Sequence, residues 1–400
     1  MFRRRTFFSS LDLFPTALSM KLQYTSSMKY RVLHNTLRYL PIRRRQFVFL
    51  FALTGFWVGT AGAEKHLVFD DIIRILDYSE KQFSYLGAKF VIDYSPSRRS
   101  TTFVKVTHSS GLRKKEVASL TPGESSQVIL DDGKFLWHYI PSQGSVVKKK
   151  HRMTLGRISK RIASQGELIQ HNYNIHIKQI PHKSSGLSDT QIPSVSGDVM
   201  VAFEPKAHDR PSWKIWLERE HGLIVRTEVY DTKGNLALLS AFSELTFQPK
   251  LSKKSFIMKV PKGTTVRKSV EKYFHTVEEA QEETGFPIVE PEYISQGFKL
   301  ASVIQSPSKR GEKVQLSYLD GISSISIFEE KHADATNENA SDDSKEVSIS
   351  QSIKGTFHDH GLLKILRWRL GQDFSITLVG EVADSELLKI AASLSVSSSP

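Results

Sequence analysis

The stretch SWKIWLEREHGLIVRTEVYDTKGN, residues 212–235, decides the fold. It contains two runs rich in aromatic and β-branched residues, Ser212–Glu218 and Leu223–Tyr230, which are separated by four residues that end in His221-Gly222. Such runs with period-two spacing, bounded by glycine-containing turns, are typical of antiparallel strands. The stretch therefore predicts a β-hairpin, and the turn Lys233-Gly234-Asn235 predicts a further strand after it.

Similar strand patterns fill most of residues 64–258, which we interpret as the first domain. An amphipathic helix is predicted over Asp70–Lys81, because Ile72, Ile73 and Leu76 recur at helical spacing. The other strands predicted here are Ala88–Tyr94, Phe103–His108, Gln127–Leu130, Lys134–Ile140, Tyr173–Lys178, Val199–Glu204 and Leu238–Phe247. Many consecutive antiparallel strands with few helices predict a strongly curved sheet or an open barrel.

Residues 276–397 predict a second, smaller α+β domain. A capping box at Thr276 and Glu279 begins a short helix, and Ser385–Leu394 forms a closing helix with one apolar side. The predicted strands between them are Lys299–Ile304, Lys313–Tyr318, Ile322–Phe328, Gly355–Phe357, Leu362–Arg369 and Phe374–Gly380. The Lys-rich residues 259–275 are interpreted as an interdomain linker, and the polar, acidic residues 331–347 as a mobile loop.

The first 63 residues are typical of a targeting segment. Arg43–Arg45 precede an apolar run from Phe47 to Gly59, and Ala61-Gly62-Ala63 resembles a signal-peptidase site. We therefore expect export to the periplasm, with cleavage after Ala63 so that the mature chain starts at Glu64. This segment holds ten Lys/Arg and one acidic residue, which accounts for most of the net charge of +13. The remaining chain is nearly balanced, which argues against nucleic acid as a partner.

Motifs of catalysis are missing from the sequence. It has no cysteine, which excludes disulfides, thiolate zinc sites and a cysteine nucleophile. The signatures of serine hydrolases, zinc proteases, P-loops and dinucleotide-binding folds are absent as well. The sequence therefore predicts a protein that is not an enzyme and that has no cofactor and no metal site.

Two features of the first domain suggest a binding function. Aromatic strand residues that alternate onto shared faces are candidates to line a lipid cavity: Phe90, Ile92, Tyr94, Phe135, Trp137, Tyr139, Trp213 and Ile215. An equally good interpretation is a plain core beneath a helix. The basic stretch Lys148–Arg161 has candidates for anionic lipid head groups, namely Lys148, Lys149, Lys150 and Arg152. The alternative for this stretch is a solvated basic loop.

The order of several short stretches resembles the RseB/MucB family of periplasmic sigma-E regulatory proteins. The stretches that carry the resemblance are Tyr85–Val91, Ser212–Leu217, Gly222–Arg226, Gly297–Leu300, Tyr318–Gly321, Ser326–Phe328 and Ile376–Glu381. The resemblance implies a first domain similar to the lipoprotein carrier LolA, a half-barrel covered by helices, with a smaller second domain beside it. It implies no catalytic residue.

The resemblance also implies a function. Members of this family bind the periplasmic part of a membrane anti-sigma factor, and lipopolysaccharide or lipoprotein acyl chains are thought to release them. We therefore expect a negative regulator of an extracytoplasmic-stress sigma factor whose partner peptide lies between the domains. The alternative is a periplasmic carrier of lipid or lipoprotein, for which one cavity domain would be enough.

Overall fold

The computed structural model describes residues 67–95, 99–110, 113–119, 126–150, 158–180, 195, 197–284, 287–308, 311–331, 344–371 and 374–394. The predicted targeting segment, residues 1–63, lies outside the described residues. The described helices are α1 (Phe69–Gln82), α2 (Ile158–Ser164), α3 (Gly166–Asn172), α4 (Val277–Thr284) and α5 (Asp384–Ala392). Within the described ranges, none of these helices has the length and apolar character that crossing a bilayer requires.

The first domain is built on one large sheet. Its strands are β1 (Tyr85–Asp93), β2 (Ser100–Ser109), β3 (Arg113–Ser119), β4 (Gln127–Asp131), β5 (Phe135–Ile140), β6 (Ser145–Lys150), β7 (Tyr173–Gln179), β8 (Val199–Pro205), β9 (Ser212–Leu217), β10 (Ile224–Tyr230), β11 (Leu236–Phe247) and β12 (Thr265–Lys268). They are ordered β12-β6-β5-β4-β3-β2-β1-β11-β10-β9-β8-β7. All neighbours are antiparallel except β12, which joins β6 in parallel.

Helices α1, α2 and α3 cover one face of this sheet, which we call the covered face. The apolar side of α1 packs through Phe69, Ile72 and Leu76 into a buried cluster with Phe203 and Ile215 of β8 and β9. The rings of Phe69 and Phe203 meet edge to face, with 5.9 Å between their centroids. Burial of these apolar side chains is what holds the helices to the sheet.

The second domain has a sheet of its own. Its strands are β13 (Lys272–Phe274), β14 (Lys299–Ser308), β15 (Gly311–Leu319), β16 (Ser324–Lys331), β17 (Ser344–Ser348), β18 (Lys354–His360), β19 (Leu363–Leu370) and β20 (Phe374–Gly380). The order is β13-β14-β15-β16-β20-β19-β18-β17. Helices α4 and α5 contribute Val277, Ala280, Leu387 and Ile390 to a buried cluster with this sheet.

The predicted fold class is confirmed: the chain is α+β, with a large antiparallel sheet under helices and a smaller antiparallel sheet with packed helices.

Two predictions for intervening segments need correction. The predicted linker 259–275 contains β12 and β13, one short strand added to each sheet. Of the predicted loop 331–347, residues 332–343 lie outside the described residues, and residues 344–347 belong to β17.

Candidate functional site

A cavity of about 190 Å³ lies between the covered face of the first sheet and helices α1 and α2. Its apolar wall consists of Leu76, Tyr85, Val91, Ile158, Trp213, Leu223, Ile224, Val225, Val229, Leu238, Phe242 and Leu362. Its polar wall includes Ser79, Glu80, Lys89, Lys114, Ser159, Arg161, Arg226, Thr227, Ser240 and Glu381. A cavity that combines apolar surface with several charged groups suits an amphiphilic ligand.

Helices α1 and α2 are linked across the polar wall. Glu80 of α1 accepts a hydrogen bond from the Ser159 hydroxyl of α2 at 2.8 Å. The other carboxylate oxygen of Glu80 lies 3.5 Å from Nε2 of the buried His108. Nδ1 of His108 lies 2.9 Å from the backbone oxygen of Phe83, which can only accept, so this nitrogen donates. These contacts hold the C-terminal end of α1 against the sheet.

A buried carboxylate, that of Glu116, lies beside two partly buried lysines on the covered face. The carboxylate of Glu116 lies 3.1 Å from Nζ of Lys89 and 3.2 Å from Nζ of Lys114. Burial alone would raise the pKa of Glu116, but the two lysines more than offset this and lower it to about 2. Lys89 and Lys114 both line the cavity, so this charged group forms part of its wall.

The second domain completes the cavity wall. Leu362, which lies between β18 and β19, joins a buried apolar cluster with Tyr85, Val91 and Leu238 of the first domain. Glu381, which follows β20, is buried and accepts a hydrogen bond from the Ser324 amide at 3.0 Å. Burial raises the pKa of Glu381, although the nearby Arg161 opposes this. The cavity therefore belongs to both domains.

A loop of the second domain, Asp320–Ser323, docks into the first domain next to this wall. The Asp320 carboxylate accepts hydrogen bonds from the Tyr173 hydroxyl at 2.7 Å and from Nη1 of Arg210 at 2.8 Å. Asn172 donates to the Asp320 backbone oxygen at 2.8 Å. Ile322 is fully buried in the cluster beneath α1, α2 and α3. The domains thus meet through direct contacts here, in the region where a partner peptide was expected to lie.

Glycine is required at the tip of this docking loop. Gly321 has a φ of +108°, and a Cβ atom there would lie 2.6 Å from Cγ1 of Ile169 in α3. Any side chain would therefore strain the backbone and push α3 away. The Asp320-Gly321 pair, which contributes to the family resemblance, is explained by this close approach.

The structure places Phe90, Ile92 and Tyr94 on the face opposite the cavity. Phe90 is buried with Leu239 and Ala241, and Ile92 and Tyr94 pack against this cluster. The cavity is lined instead by Lys89 and Val91, because successive residues of β1 point to opposite faces.

Phe135, Trp137 and Tyr139 also lie on the face opposite the cavity, as the register across β1 to β5 shows. All three are half-buried. Nζ of Lys148 lies 3.8 Å from the ring centroid of Phe135 and 4.3 Å from that of Trp137. The Trp137 indole donates to Asp132 at 2.8 Å. These rings therefore hold a lysine on the face of the sheet opposite the cavity.

The last two predicted cavity residues lie on the covered face. Of the eight candidates, Trp213 is the one that lines the cavity. Ile215 is fully buried in the cluster beneath the helices, as the alternative interpretation of a plain core has it.

The predicted anionic-lipid residues have different surroundings. Lys148 and Lys149 belong to β6, where Lys149 pairs with Glu271 at 3.0 Å and Lys148 contacts the two rings described above. Lys150 ends β6 and is exposed. Arg152 lies outside the described residues. The described parts of Lys148–Arg161 form β6 and part of α2, so the interpretation of this stretch as a solvated loop needs correction there.

The charged cavity residues were not predicted from the sequence. Lys114 and Glu116 occur in the run Arg113–Glu116, which looks like an exposed segment because buried lysines are rare. One signal was available for Glu80, since it follows Ile72 and Leu76 at intervals of four and so lies on the buried side of α1.

One acidic cluster has the composition of a metal site. Ligand atoms of Glu218, Glu220 and His221 lie within 4.8 Å of one another. Glu218 accepts from the His221 amide at 2.9 Å and lies 3.0 Å from Nδ1 of its ring. These hydrogen bonds close the turn between β9 and β10, which is a sufficient reason for the cluster.

Comparison with known protein families supports the resemblance seen in the sequence. Residues 80–260 match the family model described as the MucB/RseB N-terminal domain. None of the curated proteins compared with this chain matches it.

A solved structure with a similar fold extends the comparison to both domains. A chain of the Pseudomonas aeruginosa MucA/MucB complex covers 81% of this chain and 97% of its own length, with 16% identity and a TM-score of 0.51. MucB in complex with MucA(peri) covers the same shares with 16% identity and a TM-score of 0.49. A LolA superfamily protein from Nitrosomonas europaea covers 46% of this chain and 96% of its own, with 13% identity and a TM-score of 0.24. The first of these shows that the two-domain fold is shared.

Proposed function

Because residues 80–260 carry a MucB/RseB N-terminal domain, we propose that this chain is an exported regulator that binds the extracytoplasmic part of a membrane anti-sigma factor. Binding would shield that segment from proteolysis and so restrain an extracytoplasmic-stress sigma factor. The observation that carries the proposal is the family match together with a fold shared with a chain of the MucA/MucB complex across 81% of this chain. The domain docking at Asp320 supports it, because a carrier would not need a second domain.

The proposal includes a lipid that controls the partner. The cavity has an apolar wall and two lysines, which suits an acyl chain with an anionic head group such as that of lipopolysaccharide. Its volume of about 190 Å³ is below the roughly 300–1,000 Å³ typical of ligand pockets. An acyl chain would therefore have to widen the cavity in order to enter it.

Widening the cavity would act on the contact between the domains. Leu362 and Glu381 form part of its wall, and both belong to the second domain. A ligand that moves them changes the orientation of the surface offered to the partner. Release requires that the lipid bind the widened state more tightly than the closed one, since only such a difference can shift the equilibrium.

The regulator function is tested by finding the partner and measuring its protection. The chain is used as bait in an envelope extract, and bound proteins are identified by mass spectrometry. We expect a single-span anti-sigma protein, whose purified extracytoplasmic segment is then cleaved more slowly by a site-1-type protease when the chain is present. Recovery of diverse lipoproteins alone would favour the carrier alternative, and an unprotected segment would contradict the proposal.

The proposal that the cavity binds a lipid is tested at Ser240, which lines the cavity and is not fully buried. Ser240→Phe would fill the cavity, and we expect it to weaken binding of a fluorescent fatty acid at least roughly tenfold. Thr101→Phe adds the same ring at an exposed position of β2 on the opposite face and should leave binding unchanged. Equal effects of the two variants would argue against this cavity as the lipid site.

A further inference from the structure

Residues 250–270, which we call the basic strap, connect β11 to β13 along the outside of the molecule. The strap contains seven basic residues and no acidic one: Lys250, Lys253, Lys254, Lys259, Lys262, Arg267 and Lys268. All seven are exposed. In the part of the chain that the structure describes, none of them forms a salt bridge with a carboxylate. The strap therefore offers uncompensated positive charge to the solvent.

The basic strap also exposes apolar side chains. Ile257, Val260, Val266 and Val270 are 58%, 40%, 45% and 67% exposed. Nine large apolar side chains are exposed among the described residues, and four of them occur in this one segment. A surface that only binds a polyanion gains nothing from exposed valine and isoleucine, whereas a surface that enters the head-group region of a bilayer does.

The backbone of the basic strap is anchored to the first domain. Phe256 is buried, and the 3₁₀ turn that contains it packs against β3. Further along, the amides of Thr265 and Ser269 donate to the backbone oxygens of Gly144 and Lys148 at 3.0 and 2.9 Å, on either side of the β12–β6 pairing. The charged and apolar side chains are therefore presented from a fixed backbone.

We propose that the basic strap is a docking surface for the anionic surface of a lipid bilayer. The lysines would lie near the head groups, and the exposed valines and isoleucine would enter the boundary with the acyl chains. Each basic residue close to an anionic leaflet raises the partition coefficient about fivefold, and salt screens this attraction. The proposal concerns the outside of the molecule and is independent of the proposed function of the cavity.

The experiment measures co-sedimentation of the chain with lipid vesicles. The chain is used from Glu64 onward, because the basic and apolar residues 43–63 would bind bilayers by themselves. We expect binding to vesicles of phosphatidylcholine that contain phosphatidylglycerol, none to phosphatidylcholine alone, and loss of binding when the salt is raised from about 0.05 M to about 0.5 M.

Two variants separate the charge from the apolar contribution. A fourfold variant, Lys253→Gln, Lys254→Gln, Lys259→Gln and Lys262→Gln, should lower the partition coefficient roughly 600-fold. The matched control replaces four exposed lysines elsewhere with Gln, at Lys233, Lys299, Lys331 and Lys345. This control should change the partition coefficient less than about threefold. The double variant Ile257→Ser and Val270→Ser keeps all seven basic residues and should still weaken binding at about 0.05 M salt. Circular dichroism and thermal unfolding confirm that each variant folds.

Three results would overturn the proposal. The wild-type chain could fail to bind anionic vesicles at low salt. The two fourfold variants could lose binding equally, which would make net charge rather than the strap responsible. Finally, the apolar variant could bind as the wild type does, which would contradict the entry of the exposed valines and isoleucine into the bilayer.

Discussion

The two faces of the first sheet both combine lysines with apolar residues, yet they use them differently. On the covered face, the buried carboxylate of Glu116 lies 3.1 and 3.2 Å from the partly buried Lys89 and Lys114. On the opposite face, Lys148 lies over the rings of Phe135 and Trp137, which remain half-buried. A charge that is sealed from water depends on its partner, whereas a charge at the surface is stabilised by solvent. We therefore expect the covered face to dominate both stability and binding.

The largest effect is expected from removal of the buried carboxylate. Glu116→Ala would remove the buried carboxylate that lies between two partly buried lysines, which costs about 3–5 kcal/mol of unfolding free energy. Urea denaturation followed by circular dichroism measures the change. Lys105→Ala, at an exposed position of β2 on the opposite face, is the control and should cost less than about 0.5 kcal/mol. Similar costs for the two variants would remove the distinction between the faces.

The loss of stability at acid pH should depend on the same carboxylate. The pKa of Glu116 is about 2 in the folded chain, against an ordinary value of 4.5. The folded state therefore gains about 3 kcal/mol from Glu116, a gain that is complete above pH 4.5 and is lost as the pH falls through about 2. The difference in unfolding free energy between wild type and Glu116→Gln should shrink over this interval. A difference that stays constant with pH would contradict the assignment.

A smaller contrast is expected between apolar residues of the two faces. Ile215 is fully buried beneath the helices, so Ile215→Ala should cost about 3 kcal/mol. Phe135 is half-buried on the opposite face, so Phe135→Ala should cost about 1–2 kcal/mol although it removes more atoms. Both values come from denaturation midpoints. A larger cost at Phe135 would mean that another part of the chain covers this face.

Sequence patterns predicted the sheets well and the covered face poorly, for one physical reason. Alternation shows that Phe90, Ile92 and Tyr94 share a face, but the identity of the covered face depends on where α1 and α2 dock, which is a tertiary property. Lysine-rich strands were also difficult. β3 and β6 each carry two or more lysines, and their pairing partners, not their own composition, make them strands.

Local sequence signals such as the capping box predicted the structure more reliably than the positions of charged residues did. At the start of α4, the Glu279 amide donates to the Thr276 hydroxyl at 3.1 Å, as the capping box predicts. The carboxylate of Glu279, however, accepts from the His275 amide rather than from that of Thr276. The buried group around Glu116 combines residues of β1 and β3, and nothing within either strand indicates that they meet.

The smallest effect is expected where Lys148 contacts the aromatic rings. A lysine over two rings at the surface stabilises by about 0.5–1 kcal/mol, because water competes for the ammonium. A double-mutant cycle with Lys148→Gln and Trp137→Leu isolates this term from the Trp137 hydrogen bond to Asp132. The same cycle with Lys150→Gln, at the exposed end of β6, should give no coupling. A coupling energy at Lys148 as large as the cost of Glu116→Ala would show that the opposite face is sealed as well, and the contrast between the faces would then fail.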